Sequence, residues 1–233
     1  MAETTDIMTT PDGHLDDPES NDNRNYDYTR HPDSDRSEYP VIVSWIPAGA
    51  RVLDLGCGNG ALLARLTAEK GVTGTGVELS PSGVRVCRER GLNVVEGRID
   101  ETLPFADDAF DYAVCNVTIQ MVMYPEVLLR EMKRVARYQI VSFPNFAFWR
   151  NRIDLLLNGR MPKRMLFEYT WYATGHIHQL SFRDFRELTE AVGGLRVVRR
   201  YDERSGSLLR RILMTRWPNL FQMLGIVLLE KRG

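Results

Sequence analysis

The sequence predicts an α/β fold, a seven-stranded and mostly parallel sheet doubly wound with helices on its two faces. Strand-like apolar runs alternate along the chain with helical patterns. The first clear run, Val52-Leu53-Asp54-Leu55, passes directly into a turn with glycine at 56, 58 and 60. With 233 residues and 43% hydrophobic content, the chain can bury one sizeable core beside a polar tail.

Residues 1–35 read as that tail and 36–233 as the domain. Met1 to Pro40 holds eleven Asp or Glu, three Arg and no Lys, a charge of −8 that leaves +7 of the overall −1 on the rest of the chain. Few large apolar residues precede Tyr26, so Met1 to Arg24 is expected to be disordered, too poor in burial to offset the entropy of ordering. The tail reads as a solubilising extension, with an acidic arm over a basic face as the alternative.

Pro40 to Pro47, with Val41, Ile42, Val43, Trp45 and Ile46, suits a helix lying against the sheet. Strands are expected at Arg51–Leu55, Gly74–Glu78, Asn93–Glu96, Tyr112–Asn116, Gln139–Phe143, Arg196–Tyr201 and Ile226–Glu230. Helices are expected at Gly60–Lys70, Pro81–Glu89, Tyr124–Arg137 and Phe182–Val192. Pro81 fits a first helical turn after Ser80 as N-cap, and Gly91 and Gly193-Gly194 fit helix stops. The insertion after the fifth strand, 145–180, is rich in aromatic and basic residues. Within it Phe146, Trp149, Ile153, Leu156 and Leu157 recur at helical spacing and Gly159 closes the run. A segment that follows a strand's carboxyl end in an open sheet lies over the ligand crevice, which makes it a candidate lid.

The glycine turn is a built site for a nucleotide-like cofactor, because glycine lets backbone turn tightly and approach a ligand closely. Two cofactor classes fit it. Taken with Ala61 it satisfies the loose dinucleotide pattern G-x-G-x-x-G/A. Taken from Asp54 it is D-x-G-x-G-x-G, which resembles the turn of class I S-adenosylmethionine (SAM) dependent methyltransferases. Glu78-Leu79-Ser80, at the end of the second strand, offers a carboxylate to both ribose hydroxyls in either class. The run Leu103-Pro104-Phe105-Ala106-Asp107-Asp108-Ala109-Phe110-Asp111 resembles the L-P-F-x-D-x-x-F-D stretch before the fourth methyltransferase strand, and favours that class over NAD.

The resemblance implies a class I methyltransferase (Rossmann-like) fold that binds SAM or S-adenosylhomocysteine. It implies that Gly56, Cys57, Gly58 and Gly60 approach the methionine part. Asp54 orients the loop or binds the amino group, Glu78 holds the ribose, and Leu79 packs on adenine. Where relatives carry an Asp after the glycine that follows strand three, Gly97 is followed by Arg98. Either Asp100 substitutes, or the backbone at Ile99 supplies the one donor and one acceptor that the adenine edge needs. Asn116 to Gln120 would flank the transferable methyl. Methyl transfer needs alignment and desolvation, and a base only when the acceptor must lose a proton. His176 and His178 are the candidates; their H-x-H spacing offers two metal ligands without a nearby third, so no metal is expected.

Composition and motifs also argue against other classes. Asn116-Val117-Thr118-Ile119 is not the N/D-P-P-Y/F motif of nucleobase amino-methylating enzymes, and no cysteine follows a proline as in cytosine C5 enzymes. The run of Arg196, Arg199, Arg200, Arg204, Arg210, Arg211 and Arg216 could track phosphates, but Asp202 and Glu203 interrupt it, so a solvated or protein-partner face is expected instead. Cys57, Cys87 and Cys115 form no C-x-x-C pair, which suits a reducing cytoplasm. No signal peptide is evident, and Leu220–Leu229 is too short to cross a bilayer, so a soluble cytoplasmic protein is expected.

From about Tyr39 onward the chain resembles the MetW family of methionine biosynthesis. The marks are Asn116 to Gln120, Phe143-Pro144-Asn145-Phe146, Trp149-Arg150-Asn151-Arg152 and Gly159-Arg160-Met161-Pro162. They continue with Tyr169-Thr170-Trp171-Tyr172, His176-Ile177-His178, Arg183-Asp184-Phe185 and Trp217-Pro218-Asn219-Leu220. This resemblance implies partnership with homoserine O-acyltransferase, with SAM acting as a feedback signal on the pathway. The alternative is a SAM-dependent methyltransferase acting on a small-molecule metabolite.

Overall fold

The computed structural model describes residues 8–9, 25–26, 28, 36–162, 175–201 and 208–232. Two short strands come first, β1 (Met8–Thr9) and β2 (Asn25–Tyr26), paired antiparallel; the rest of the tail's expected disorder lies outside the described residues apart from Tyr28. Then follow α1 (Tyr39–Trp45), β3 (Arg51–Leu55), α2 (Ala61–Lys70), β4 (Thr73–Glu78), α3 (Pro81–Glu89) and β5 (Asn93–Glu96). The second half holds β6 (Phe110–Asn116), α4 (Pro125–Val135), β7 (Ala136–Pro144), α5 (Trp149–Asn158), α6 (Phe182–Val192) and β8 (Leu195–Arg200). It ends with α7 (Leu208–Arg216), α8 (Pro218–Phe221) and β9 (Leu224–Lys231).

Seven strands form one sheet in the order β5-β4-β3-β6-β7-β9-β8, parallel throughout except that β9 runs antiparallel to both of its neighbours. The central strands read as unbroken apolar runs because both faces are covered. On one face, Leu128, Leu129 and Met132 of α4 and Phe185 of α6 pack with Phe143 and Val141 of β7. On the other, Ile42 and Trp45 of α1 and Leu62 and Leu66 of α2 pack with Val52, Val114 and Ile140.

Local chemistry sets the element ends. Gly71 and Gly159 take the left-handed conformation and cap α2 and α5. Ser181 and Asp184 close a reciprocal capping box at the start of α6. The Leu103–Phe105 stretch is bolted to α4, since Arg134 donates to the carbonyls of Leu103 and Phe105 at 3.0 and 2.7 Å and pairs with Glu131 and Asp107. Helices α7 and α8 are absent from the sequence expectation, which carried no periodic signal between Asp202 and Leu220. Residues 163–174 of the insertion, with Trp171 and Tyr172, lie outside the described residues. Its described helix, α5, buries Asn151 alone and leaves Leu156 81% exposed, so its apolar run does not pack on the sheet. No described helix is long and apolar enough to cross a membrane.

Candidate cofactor site

The parallel strands β3, β4 and β6 end together, and the loops that follow them build one crevice. Gly56, Gly58 and Gly60 all have positive φ, between 57 and 76°. The need for glycine differs among them: a Cβ on Gly56 would come within 2.6 Å of Thr118, and one on Gly60 would run into Leu92 and the Cys87 sulfur. A Cβ on Gly58 would meet the ring of Tyr28 at 3.0 Å. The turn's peptide nitrogens are largely engaged within the protein. Those of Gly56 and Cys57 donate to Val77 O, and that of Gly58 donates to Glu78 Oε2 at 2.7 Å. The turn therefore contributes close approach more than free donors. The Cys57 side chain points beneath it, with its sulfur against Gly76 and 3.9 Å from that of Cys87, in a cluster with Val84 and Val94.

Two buried carboxylates define the floor. Glu78 accepts from Gly58 N and, at 2.8 Å, from Ser80 N, which fixes its carboxylate beside the turn. Asp54, 2% exposed, is pushed up to about 7 by burial and then by the charge of Glu78, against the opposing pull of Arg36. A carboxyl so poised favours a cation beside it.

The third wall follows β6. Val117, β-branched, is held at φ 53° in the left-handed region, where such a residue is a true outlier. Three contacts hold it there. Its N–H donates to Ser142 Oγ at 2.9 Å and faces Ser142 O at 3.1 Å, and its carbonyl accepts from Gln120 Nε2 at 2.7 Å. Ser142 Oγ donates to Asn116 Oδ1 at 2.6 Å, and Asn116 Nδ2 donates to the buried Glu38 at 3.3 Å.

The sequence-expected residues thus fall into four groups. Asp54, Gly56, Gly58, Glu78 and Asn116 come together at the strand ends, with Leu79 half-buried next to Glu78. Gln120 and Asp100 face inward as struts. Gln120 is fully buried and holds Val117, while Asp100 Oδ2 accepts from Met123 N and Tyr124 N at 2.9 and 3.1 Å, ahead of α4. The Ile99 side chain is packed in the core, so only its peptide remains for recognition. His176 and His178 hang on the same turn through Gln120 O, which accepts from Ile177 N and His178 N at 2.9 and 3.0 Å. Burial lowers His176 to about 4, so its ring is neutral at physiological pH. Among the described residues no three His, Cys, Asp or Glu side chains converge as metal ligands.

Sequence reasoning missed Tyr28, Arg36, Glu38 and Ser142. Tyr28 packs against Gly58 and Gly83, and its N–H donates to Ser82 Oγ at 3.1 Å. The only trace of it in the sequence is an aromatic residue where the apolar-poor tail ends.

The family model for methionine biosynthesis protein MetW matches residues 36–229. The bifunctional methionine biosynthesis protein MetXA/MetW of Rhodopirellula baltica is 39% identical over 167 residues, 67% of this chain and 26% of that one. A ubiquinone biosynthesis O-methyltransferase of Xanthomonas oryzae is 34% identical over 109 residues, covering 42% of this chain and 45% of the relative. This chain spans less than half the length of each of these relatives. Among solved structures, the putative methyltransferase complexed with the Trm112 activator of Haloferax volcanii has a TM-score of 0.61 at 18% identity, over 85% of this chain and 92% of the other. A SAM-dependent methyltransferase of Thermotoga maritima, described as a possible histamine N-methyltransferase, has a TM-score of 0.59 at 19% identity, over 84% and 88%. The fold is that of class I SAM-dependent methyltransferases, and the match along 36–229 makes this chain a member of the MetW family.

Proposed function

We propose that this protein binds SAM at the ends of β3, β4 and β6 and acts in methionine biosynthesis as a SAM-responsive partner of homoserine O-acyltransferase. The observation that carries the cofactor reading is the pair of buried carboxylates on either side of a positive-φ glycine turn packed too closely for any Cβ. Glu78 would take the ribose hydroxyls and Asp54 the ammonium of the methionine part. Gly56 and Gly58 would let the backbone lie against the ligand, Leu79 would pack on adenine, and the Ile99 peptide would meet the adenine edge. The commitment of Asp100 Oδ2 to two backbone amides supports the peptide over the Asp100 side chain for that last role. SAM supplies an electrophilic methyl group when bound.

The partner reading draws support from the relative whose name joins MetXA to MetW. The complementary reading, a small-molecule methyltransferase, is favoured by one geometric fact: His176, neutral through burial, is carried by the segment tied to Gln120 O beside Asn116. In that case His176 or His178 would accept the proton of an acceptor hydroxyl or amine.

One measurement tests the shared cofactor site and two separate the readings. Glu78→Ala should weaken SAM binding by about 1–3 kcal/mol in calorimetry, and unchanged affinity would remove the site. Affinity purification from the native cell should bring down homoserine O-acyltransferase in a SAM-dependent manner. S-adenosylhomocysteine production with a metabolite extract, lowered by His176→Ala and without a co-purifying acyltransferase, favours the enzyme.

A further inference from the structure

We infer a second ligand site, a cavity for a nucleoside di- or triphosphate at the β8–β9 side of the sheet. Five guanidinium side chains line one cavity of about 710 Å³: Arg152 of α5, Arg183 and Arg186 of α6, Arg200 of β8 and Arg216 of α7. No Asp or Glu lines it among the described residues. The strands β6 and β7 separate this region from β3 and its glycine turn, and no residue of that turn lines the cavity.

Arg152 Nε donates to Ala147 O at 2.6 Å, Arg200 donates to Thr215 O at 3.3 Å, and Arg186 faces the exposed Glu190 at 3.7 Å. Among the described residues neither Arg183 nor Arg216 has a carboxylate partner. Five like charges drawn from four elements repel one another, and a multiply charged anion relieves that repulsion. Planar guanidinium forks match phosphate oxygens two at a time.

The rest of the lining argues for a ring attached to the phosphates. Phe185 is buried in the floor, Arg200 lies 6.0 Å over the ring of Phe182, and Trp217 is 52% exposed at the rim. Guanidinium and indole faces both stack on flat heterocycles. The volume falls within the range of small-molecule pockets. A phosphate backbone would call for a stripe of charge along a surface, whereas these arginines surround a concavity. The arginine run of the sequence supplies no such stripe: Arg196 is paired with Glu230 at 2.9 Å, and Arg199 stacks 5.2 Å over Trp45.

The test is titration calorimetry of the full chain with ATP and ADP, in the presence of saturating S-adenosylhomocysteine so that the glycine-turn crevice is not counted. The expected result is one nucleotide per chain, bound more weakly as salt is added. The Arg183→Gln/Arg216→Gln double variant should lose about tenfold or more in affinity while keeping its melting temperature and its SAM binding. Absence of binding by both nucleotides overturns the site, as does a double variant that binds them unchanged. Binding of a single-stranded RNA oligonucleotide or a polyglutamate peptide with none of either nucleotide also overturns it, because the cavity would then belong to a macromolecular surface.

Discussion

At the scale of single residues, the crevice is governed by Asp54. Its ordinary carboxyl value is 3.8, and the buried setting beside Glu78 moves it to about 7. The folded value is raised, so the unliganded protein draws stability from the protonated form below pH 4 and loses it as pH rises through about 7. A ligand ammonium reverses the preference, because it favours the ionised carboxylate. SAM affinity should therefore climb as pH rises toward about 7 and level off above it, and Asp54→Asn should flatten the profile. Calorimetry in buffers of different ionisation enthalpy reads the released proton directly; a pH-independent wild-type affinity would sink the assignment. The placement of Asp54 and Glu78 beside the glycine turn was legible in the sequence, from their positions at the ends of two strands. Their protonation was not, because it depends on how deeply the sheet buries them and on how near Arg36 comes.

At the scale of elements, the turn after β6 stores strain that Ser142 and Gln120 hold in place. Ser142 sits on β7 opposite Asn116 in register, so one hydroxyl serves both Val117 N and Asn116 Oδ1. Ser142→Ala should lower stability by about 1–3 kcal/mol in urea unfolding, since it leaves buried polar groups unsatisfied. It should weaken SAM binding as well by releasing Asn116, whereas a wild-type unfolding midpoint would mean that the turn holds itself. The sequence marked Asn116 and Gln120 as pocket-lining because they follow a strand end. In the structure the Gln120 side chain reaches back across the turn to the carbonyl of Val117, three residues before it. The Leu103–Phe105 run behaves likewise: it identifies the fold class, yet its physical duty is to give Arg134 two carbonyls to hold.

At the scale of the whole molecule, the N-terminal segment reaches the crevice. Tyr28 packs on Gly58 and Gly83, beside the carboxylate proposed to hold the ribose. Removing residues 1–24 should leave the melting temperature within about 2 °C of the full chain, because the described core begins at Tyr39. Removing residues 1–35 takes away Tyr28 as well and should weaken SAM binding by about 1 kcal/mol through loss of a buried aromatic contact. Tighter binding by the shorter chain would instead make Tyr28 a competitor of the cofactor.

The sequence by itself determined the α/β class, the positions of the seven sheet strands to within a few residues, and the glycine turn with its two acidic neighbours. These are local properties: apolar runs of strand length, helical periodicity and glycine at fixed offsets each report on backbone a few residues away. Only the tertiary structure decided which polar side chains face the crevice and which act as struts, how high Asp54 is pushed, and that Tyr28, Glu38 and Ser142 all contact the loops around one crevice. It also gathered five arginines from four elements around one cavity. Those outcomes depend on residues far apart in the chain, and the packing of helices on a twisted sheet sets their distances, which no short-range pattern encodes.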